Sequence, residues 1–180
     1  MTTIRPIEPA DRELVRTFYH ELSDRSRRLR FLVPTSPDIS DEDLEYLTDV
    51  DHHRHEAVVA LDGDRIVGVA RYVRTPGQRD SAEVAVVVID DRQNEGIGTE
   101  LLDDLTKRAR QSGIARYTAL VSSDNDIVLG ALERAGAERT GTDGDDGEVE
   151  FAIEVPAEGL GERLRAALRG VAVALLRLRP

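Results

Sequence analysis

The 180-residue sequence contains no cysteine, which excludes disulfide bonds, thiolate nucleophiles and cysteine-ligated metal sites. It also lacks any stretch of about 18 uninterrupted apolar residues, the length that a transmembrane helix requires. The first residues lack the basic stretch and apolar core of a signal peptide, so we expect a cytoplasmic location. A chain of this length is predicted to form one domain around one core.

Lysine is almost absent: Lys107 is the only one, and every other basic residue except histidine is arginine. With a formal net charge of −11, the chain is not expected to bind nucleic acid. The acidic composition has two interpretations. It fits a halophilic protein, since high salt screens charge repulsion within a few ångströms, and it fits an acidic protein from an arginine-favouring genome.

Hydrophobic periodicity predicts alternating strands and helices along most of the chain. Apolar residues three or four positions apart indicate helices, whereas runs of β-branched residues indicate strands, and residues 81–89 suit a strand buried on both faces. The order β α α β β β α β α β β predicts a mixed sheet covered by helices. Strands are predicted at 4–7, 56–61, 65–73, 81–89, 115–121 and on both sides of the acidic loop 142–147; helices are predicted at 11–22, 40–49, 98–111 and 125–134.

Residues 157–180 form the one basic stretch of this acidic chain, and we predict an amphipathic, arginine-rich C-terminal helix there, separate from a domain of residues 1–156. This helix could dock on its own domain or on a sister subunit, so the protein is a monomer or a homodimer. An apolar stripe flanked by arginines would also suit a membrane surface or a partner. The stripe is Leu160, Leu164, Leu168, Val171, Leu175 and Leu178, and the arginines are Arg163, Arg165, Arg169, Arg177 and Arg179.

The turn between the strand at 81–89 and the following helix is suited to binding phosphate. It carries Gly96 and Gly98, which let the backbone approach an anion at the free amides and positive dipole of a helix start. The turn lacks the third glycine of a dinucleotide fingerprint and the Gly-Lys-Ser/Thr of a P-loop. Both of those nucleotide-binding folds are therefore disfavoured.

This neighbourhood resembles the GNAT acetyltransferases. Gln93-x-x-Gly96-x-Gly98 matches the family signature Gln/Arg-x-x-Gly-x-Gly/Ala at the end of the fourth strand. Asn125, eleven residues before Gly136, matches the second cofactor-contacting segment of the family. The resemblance covers residues 3–155 and implies the GNAT fold, an α/β (α+β) architecture with a mixed, mostly antiparallel sheet of about seven strands and about four flanking helices.

The same resemblance implies acetyl-CoA as cosubstrate and no metal. Amides around the turn would bind the coenzyme A pyrophosphate, the strand at Val86–Val88 would pair with the pantetheine, and Asn125 would contact the cofactor arm. The implied cofactor-binding residues are Val86, Val87, Val88, Gln93, Asn94, Glu95, Gly96, Ile97, Gly98, Thr99 and Asn125.

The N-terminal half is similar to a narrower group, the acetyltransferase domains of Pat-type protein lysine acetyltransferases. That group often carries a fused cyclic-nucleotide-binding or acyl-CoA-synthetase-like domain, which this sequence does not contain, so regulation by such a domain is not carried over. The similarity implies a protein lysine as the acceptor. It rests on Arg5-Pro6-Ile7-x-Pro9-x-Asp11, Leu22-Ser23-x-x-Ser26-Arg27-x-Leu29-Arg30-Phe31 and Leu47-Thr48-x-Val50-Asp51.

Acetyl transfer to an amine requires a neutral nucleophile. A lysine with a pKa of about 10.4 is neutral in about one molecule in 2,500 at pH 7, a deficit of about 4.6 kcal/mol. A general base recovers roughly two to four powers of ten of rate, and Glu83 resembles the glutamate that Pat-type enzymes use as base. The alternative is that Glu83 is a solvated residue at a strand end. Backbone amides of the same strand would polarise the thioester carbonyl.

Three features depart from the family pattern, and one of them, Ala137 in place of the aromatic residue that usually follows the terminal glycine, is expected to affect packing only. Leu132 stands where many members have a tyrosine as general acid, so water, Ser122 or Ser123 would protonate the leaving thiolate. Asn94-Glu95 stand where glycine and a basic residue are common, which places a carboxylate near the pyrophosphate; Arg92 or high salt would offset its repulsion.

Three hypotheses therefore follow: a protein lysine acetyltransferase, a small-molecule amine acetyltransferase, and a catalytically silent coenzyme A-binding module. His52, His53 and His55 lack other clustered ligands at a characteristic spacing, so a surface or acceptor-cleft role is the simpler interpretation than a metal site. Residues 143–146 lack the spacing and terminal glutamate of an EF-hand loop and are predicted to lie in a solvated hairpin loop.

Overall fold

The predicted strands assemble into one seven-stranded sheet in the computed structural model, which describes residues 2–31, 38–123, 125–141 and 147–165. The strands are β1 (Thr3–Pro6), β2 (His55–Asp62), β3 (Arg65–Arg74), β4 (Ser81–Val88), β5 (Arg116–Ser122), β6 (Glu138–Arg139) and β7 (Glu148–Glu154). Their order is β1-β2-β3-β4-β5-β7-β6, and every neighbouring pair is antiparallel except β4 and β5. The predicted mixed, mostly antiparallel sheet is confirmed.

Six α-helices accompany the sheet within the described residues, one more than the sequence predicts. The additional helix is α2, which consists largely of arginine, serine and aspartate and therefore has no apolar stripe to reveal it. The helices are α1 (Arg12–Glu21), α2 (Asp24–Phe31), α3 (Asp41–Thr48), α4 (Ile97–Gln111), α5 (Asp126–Arg134) and α6 (Leu160–Arg163).

Tertiary hydrogen bonds stabilise the start of α2. Asp90, just after β4, accepts hydrogen bonds from the backbone N of Ser23 (3.1 Å), the hydroxyl of Ser23 (2.8 Å) and the hydroxyl of Ser26 (3.0 Å). Burial raises the pKa of Asp90, but these hydrogen bonds outweigh it and hold the pKa below the ordinary value. The carboxylate thus joins the N-terminal end of α2 to the segment that leads into the predicted phosphate turn.

Close packing on β3 fixes the position of α4. A Cβ at Gly68 would lie 2.8 Å from Cδ1 of Leu101 and 3.2 Å from the carbonyl oxygen of Val87, so glycine at this position favours the close approach of the helix. Leu101, Leu102 and Leu105 of α4 are fully or almost fully buried against the sheet. The N-terminus of α4 is therefore held at the carboxyl end of β4.

The described part of the C-terminal segment packs on the domain itself. Leu160 and Leu164 are buried in the core, and α6 lies against α4. The separation of residues 157–180 from the rest stays a prediction, and its positions from 166 onward, like the acidic loop positions 142–146, lie outside the described residues. Within the described residues, no helix is long and apolar enough to cross a bilayer.

We expect Asp11→Asn to lower the free energy of unfolding by about 1.5 kcal/mol at pH 7. The buried Asp11 carboxylate accepts hydrogen bonds from Nη1 (2.7 Å) and Nη2 (2.6 Å) of Arg5 and from the amide of Glu8 (2.9 Å). The Arg5 hydrogen bonds hold the pKa of Asp11 below its ordinary value, against the opposing effect of burial.

A carboxyl group with a lowered folded-state pKa stabilises the protein above its unfolded pKa of about 3.9, and this contribution is lost as the pH falls through the folded-state pKa. Urea unfolding at pH 7 and near pH 3 should therefore show a smaller effect of Asp11→Asn at the lower pH. Glu45→Gln, at an exposed position of α3, is the control. An equal loss at both pH values would contradict the assigned role of ionisation.

Candidate active site

Strands β4 and β5 separate after a short pairing. Parallel register joins Ser81 to Arg116, Ala82 to Tyr117 and Glu83 to Thr118, and it does not continue beyond Glu83 in the described residues. From there β4 pairs on its other side with β3 as far as Val88, while β5 pairs with β7. We call the opening between residues 84–88 of β4 and 119–122 of β5 the strand gap. Along it, one backbone edge of β4 has no neighbouring strand among the described residues.

The turn after β4 shapes the far end of the strand gap. The side-chain amide of Gln93 donates a hydrogen bond to the carbonyl oxygen of Val88 (3.1 Å), which fixes the start of the turn on the strand. Asn94 and Gly96 both have positive φ, at 69° and 88°, and α4 begins immediately afterwards at Ile97. The first amides of this 15-residue helix have no partner within the helix, so they are oriented to bind an anion.

A cavity of about 230 Å³ lies against this turn, and we call it the turn cavity. It brings together the predicted residues of the turn with two that the sequence does not indicate, Glu100 of the first turn of α4 and Arg165. Arg165 is distant in sequence and belongs to no local pattern that points to the turn. The lining residues are Val88, Arg92, Gln93, Asn94, Glu95, Gly96, Ile97, Gly98, Thr99, Glu100 and Arg165.

Arg92 is shared between two carboxylates beside the turn cavity. Its Nε lies 2.9 Å from Oε2 of Glu95, and its Nη1 forms an ion pair with Asp62. The hydrogen bonds to Asp62 and then Glu95 raise the pKa of Arg92. The charge of Arg92 therefore offsets that of Glu95, as the sequence suggests. Because Arg92 also pairs with Asp62, its positive charge is shared between two carboxylates.

Glu83 lies where the strand gap begins. It is the last residue of β4 that pairs with β5, it is partly buried, and its Oε1 is shielded from solvent. Side chains alternate along a strand, so Glu83 lies on the same face as Val87, which lines a small cavity together with Val15 and Phe18 of α1. Val84 and Val86 face the opposite side, toward Leu102 of α4. The carboxylate is therefore not a freely solvated strand-end residue.

Asn125 and Leu132 have structural contacts on α5. The side-chain oxygen of Asn125 accepts a long hydrogen bond from the backbone N of Val128 (3.4 Å) and so caps α5; Asn125 does not line the turn cavity. Its contact with the cofactor arm stays a prediction. Leu132 is buried beside Val84 and Val86, so it adds apolar surface where a tyrosine would offer a hydroxyl.

The hydroxyl groups near the strand gap differ in accessibility. Ser122 and Ser123, at the end of β5, are partly exposed and exposed. Tyr117 of β5 is buried, and burial strongly raises the pKa of its hydroxyl, which makes it a weaker proton donor. These positions favour the serines or water over Tyr117 as the source of a proton.

The three neighbouring histidines do not converge. Nδ1 of His52 lies 2.8 Å from Oε1 of Glu56, whereas Nε2 of His55 lies 3.0 Å from Nη1 of the buried Arg71. His53 is exposed. In the part of the chain that the structure describes, no three histidine or acidic residues are grouped as metal ligands would be.

A sequence model of the Acetyltransferase (GNAT) family matches residues 15–137, which is more than half of the chain. The chain belongs to the GNAT acetyltransferase family. Members of this family use acetyl-CoA, which is therefore the cosubstrate of this domain, and the predicted enzyme class, an acetyl-CoA-dependent N-acetyltransferase, is confirmed at the level of the family.

Relatives of this GNAT domain include Pat-type proteins. The acetyltransferase Pat of Mycolicibacterium smegmatis is 34% identical over 136 residues, covering 74% of this chain and 40% of that relative. The match therefore spans less than half the length of that protein. The GNAT domain of S. lividans PAT superposes with a TM-score of 0.76 at 29% identity, covering 85% of this chain and 90% of that domain.

A shorter match of the GNAT domain is to the L-methionine sulfoximine/L-methionine sulfone acetyltransferase of Pseudomonas aeruginosa. It is 37% identical over 65 residues, covering 36% of this chain and 38% of that protein. The named relatives thus include a Pat protein and an acetyltransferase of small amino-acid analogues.

Proposed function

We propose that this GNAT domain transfers the acetyl group of acetyl-CoA to the side-chain amine of a protein lysine, with Glu83 as general base. The observation that carries this proposal is the strand gap, which has Glu83 at its closed end and the N-terminus of α4 at its open end. One end offers a carboxylate for an amine, and the other offers amides for a diphosphate.

The geometry of the strand gap fits coenzyme A. From Glu83 to Val88, β4 advances about 17 Å at its usual rise per residue, which is comparable to an extended pantetheine arm. In this proposal the backbone edge at Val86–Val88, which pairs with no strand of the described residues, pairs with the pantetheine, and the amides around Gly96 and Gly98 hold the diphosphate. When bound, acetyl-CoA supplies an acetyl group that is activated as a thioester.

Glu83 would take the proton of the acceptor amine. A protonated lysine cannot attack, and a carboxylate that is partly withdrawn from water is a better base than one fully exposed to it. Water or one of the serines at the end of β5 would then return a proton to the leaving thiolate, because Leu132 offers none.

The protein lysine acceptor is supported by the region around α2. The Pat-like segment of residues 22–31 forms the α1–α2 junction and α2, and α2 contacts β4. Asp90 ties this junction to the segment between Glu83 and the turn cavity, so acceptor-side and cofactor-side elements are joined. The similarity to the relatives named Pat and PAT is in line with the Pat-type resemblance that implies this acceptor.

A small-molecule amine is the second candidate, and the match to the L-methionine sulfoximine/L-methionine sulfone acetyltransferase favours it. Acceptor choice on a common fold resides in loops and helix ends, which differ between relatives that share the cofactor site. Family membership disfavours the third hypothesis, a silent coenzyme A-binding module.

Release of free thiol from acetyl-CoA, measured with a panel of acceptors, tests the proposal. The panel should contain lysine peptides, a folded acyl-CoA synthetase, methionine sulfone and a polyamine, each in low and molar salt. We expect the highest kcat/KM with a lysine-bearing protein or peptide. Turnover confined to the small amines would favour the second candidate, and coenzyme A binding without any turnover would favour the silent module.

A further inference from the structure

Arg165, two residues after the end of α6, lines the turn cavity, and the segment that carries it packs on α4. The backbone N of Gly161 donates a hydrogen bond to Oδ1 of Asp103 (2.8 Å), and Nη2 of Arg163 donates one to the carbonyl oxygen of Ala135 (2.7 Å). A Cβ at Gly161 would lie 2.2 Å from the carbonyl oxygen of Thr99, so the contact with the first turn of α4 requires glycine. With Leu160 and Leu164 buried beneath it, this segment is held beside the cofactor turn.

Few positively charged side chains in the lining of the turn cavity are available to bind a diphosphate. Arg92 and Arg165 are the arginines among the lining residues, against the carboxylates of Glu95 and Glu100. Arg92 is already paired with both Glu95 and Asp62. Arg165 is half-exposed, and its one carboxylate partner in the described ranges is Glu162, three residues earlier on the same segment (2.6 Å).

The lining of the turn cavity therefore has no net charge of its own, although a diphosphate brings about two negative charges. An exposed ion pair between residues three positions apart is weak and exchanges readily with solvent, so Arg165 can leave Glu162 at small cost. A guanidinium has five N–H donors and can bind two phosphate oxygens at once. Pairing with a single carboxylate therefore does not prevent Arg165 from binding a phosphate.

We propose that Arg165 binds the diphosphate of coenzyme A, so that the segment after β7 contributes a second arginine, besides Arg92, to the cofactor site. This inference rests on the proposed function only in taking coenzyme A as the ligand of the turn cavity. It assigns a cofactor-binding role to a residue 67 positions after Gly98, beyond the strand-turn-helix motif that defines the rest of the site.

The test is calorimetric binding of coenzyme A and 3′-dephospho-coenzyme A to the full chain, with pantetheine measured by competition. We expect Arg165→Ala to raise Kd about fivefold to tenfold for both nucleotide ligands and to leave pantetheine unchanged. Arg165→Lys should recover part of the loss. Arg116→Ala is the matched control: Arg116 is a half-exposed arginine paired with one glutamate, at the opposite end of the parallel strands.

Two further variants separate phosphate binding from a structural role. Glu162→Gln removes the carboxylate partner of Arg165 and should tighten coenzyme A binding about twofold to threefold, a direction that a structural role would not produce. Gly161→Ala should displace the segment from Thr99 and reproduce the loss seen in Arg165→Ala, without adding to it in the double variant.

Unchanged coenzyme A affinity in Arg165→Ala, or an equal loss for pantetheine, would overturn the proposal. A loss that disappears with 3′-dephospho-coenzyme A would overturn the assignment to the diphosphate. Failure of the wild-type chain to bind coenzyme A at all would instead contradict the proposed function, so the two failures are distinguishable.

Discussion

Replacing Glu83 with glutamine is expected to lower kcat by about a hundredfold or more and to leave the Kd for acetyl-CoA nearly unchanged. Glutamine keeps the size and much of the hydrogen bonding of glutamate at the closed end of the strand gap but cannot accept a proton from the acceptor amine. The loss should appear in single-turnover acetylation of the best acceptor, where product release does not obscure the chemical step. Cofactor affinity is measured separately by calorimetry.

The matched control for Glu83→Gln is Glu154→Gln, which removes the same charge from the end of β7, outside the strand gap. Glu154 is exposed and pairs with Arg116, so its loss should change kcat less than twofold. An unchanged single-turnover rate in Glu83→Gln would remove Glu83 from the mechanism. A loss accompanied by equally weakened acetyl-CoA binding would assign it to cofactor placement instead.

The parts of the fold that the sequence reveals are those whose burial follows a regular period. β4 is a run of β-branched residues and is buried on both faces, and α4 carries its leucines at helical spacing. Helix α2 is not predicted from the sequence because it is stabilised by Asp90, a residue about 65 positions away that accepts hydrogen bonds from Ser23 and Ser26. Such a contact leaves no pattern in the helix itself.

In the candidate site, too, local sequence motifs are predictable and residues brought in by tertiary contacts are not. The turn from Gln93 to Thr99 is local, so two glycines, their spacing and the flanking strand and helix suffice to predict it, and these residues line the turn cavity. Arg165 is brought there by the packing of Leu160 and Gly161 on α4, which depends on tertiary contacts that no motif encodes. Asn125 shows the converse: its spacing matches a family motif, yet its visible hydrogen bond is a helix cap.

The acidic character of the chain extends into its cofactor site. Glu95 and Glu100 line the turn cavity, Asp62 binds Arg92 and Glu162 binds Arg165, so each arginine at the cavity has at least one carboxylate partner. At an ionic strength of about 1 M the Debye length is about 3 Å, and these charges then act on a bound diphosphate only at contact distance. Added salt should therefore weaken the repulsion between these carboxylates and the diphosphate of acetyl-CoA, which favours binding at high ionic strength.

Glu95→Arg is expected to lower the Kd for acetyl-CoA about thirtyfold in a buffer of about 20 mM ionic strength, and less than threefold in about 1 M salt. The substitution removes a negative charge beside the diphosphate, adds a positive one, and leaves Arg92 with Asp62 as its remaining described partner. Glu95→Gln, which only removes the charge, should give an intermediate gain. Calorimetric titrations at four or five salt concentrations measure how the Kd for acetyl-CoA depends on salt in each of the two variants.

Glu45→Arg provides the control for Glu95→Arg, because it makes the same change of net charge at an exposed position of α3, outside the turn cavity, and should alter Kd less than twofold. Glu95 also precedes the N-terminus of α4, where an acid favours the helix dipole, so Glu95→Arg should lower stability by about 0.5 kcal/mol while it tightens binding. Equal tightening at all salt concentrations would contradict the electrostatic account. If Glu95→Arg instead gains affinity at low salt alone and loses stability, the acid in the turn is tolerated because salt screens its charge. That result would favour adaptation to high salt as the reason for the acidic composition.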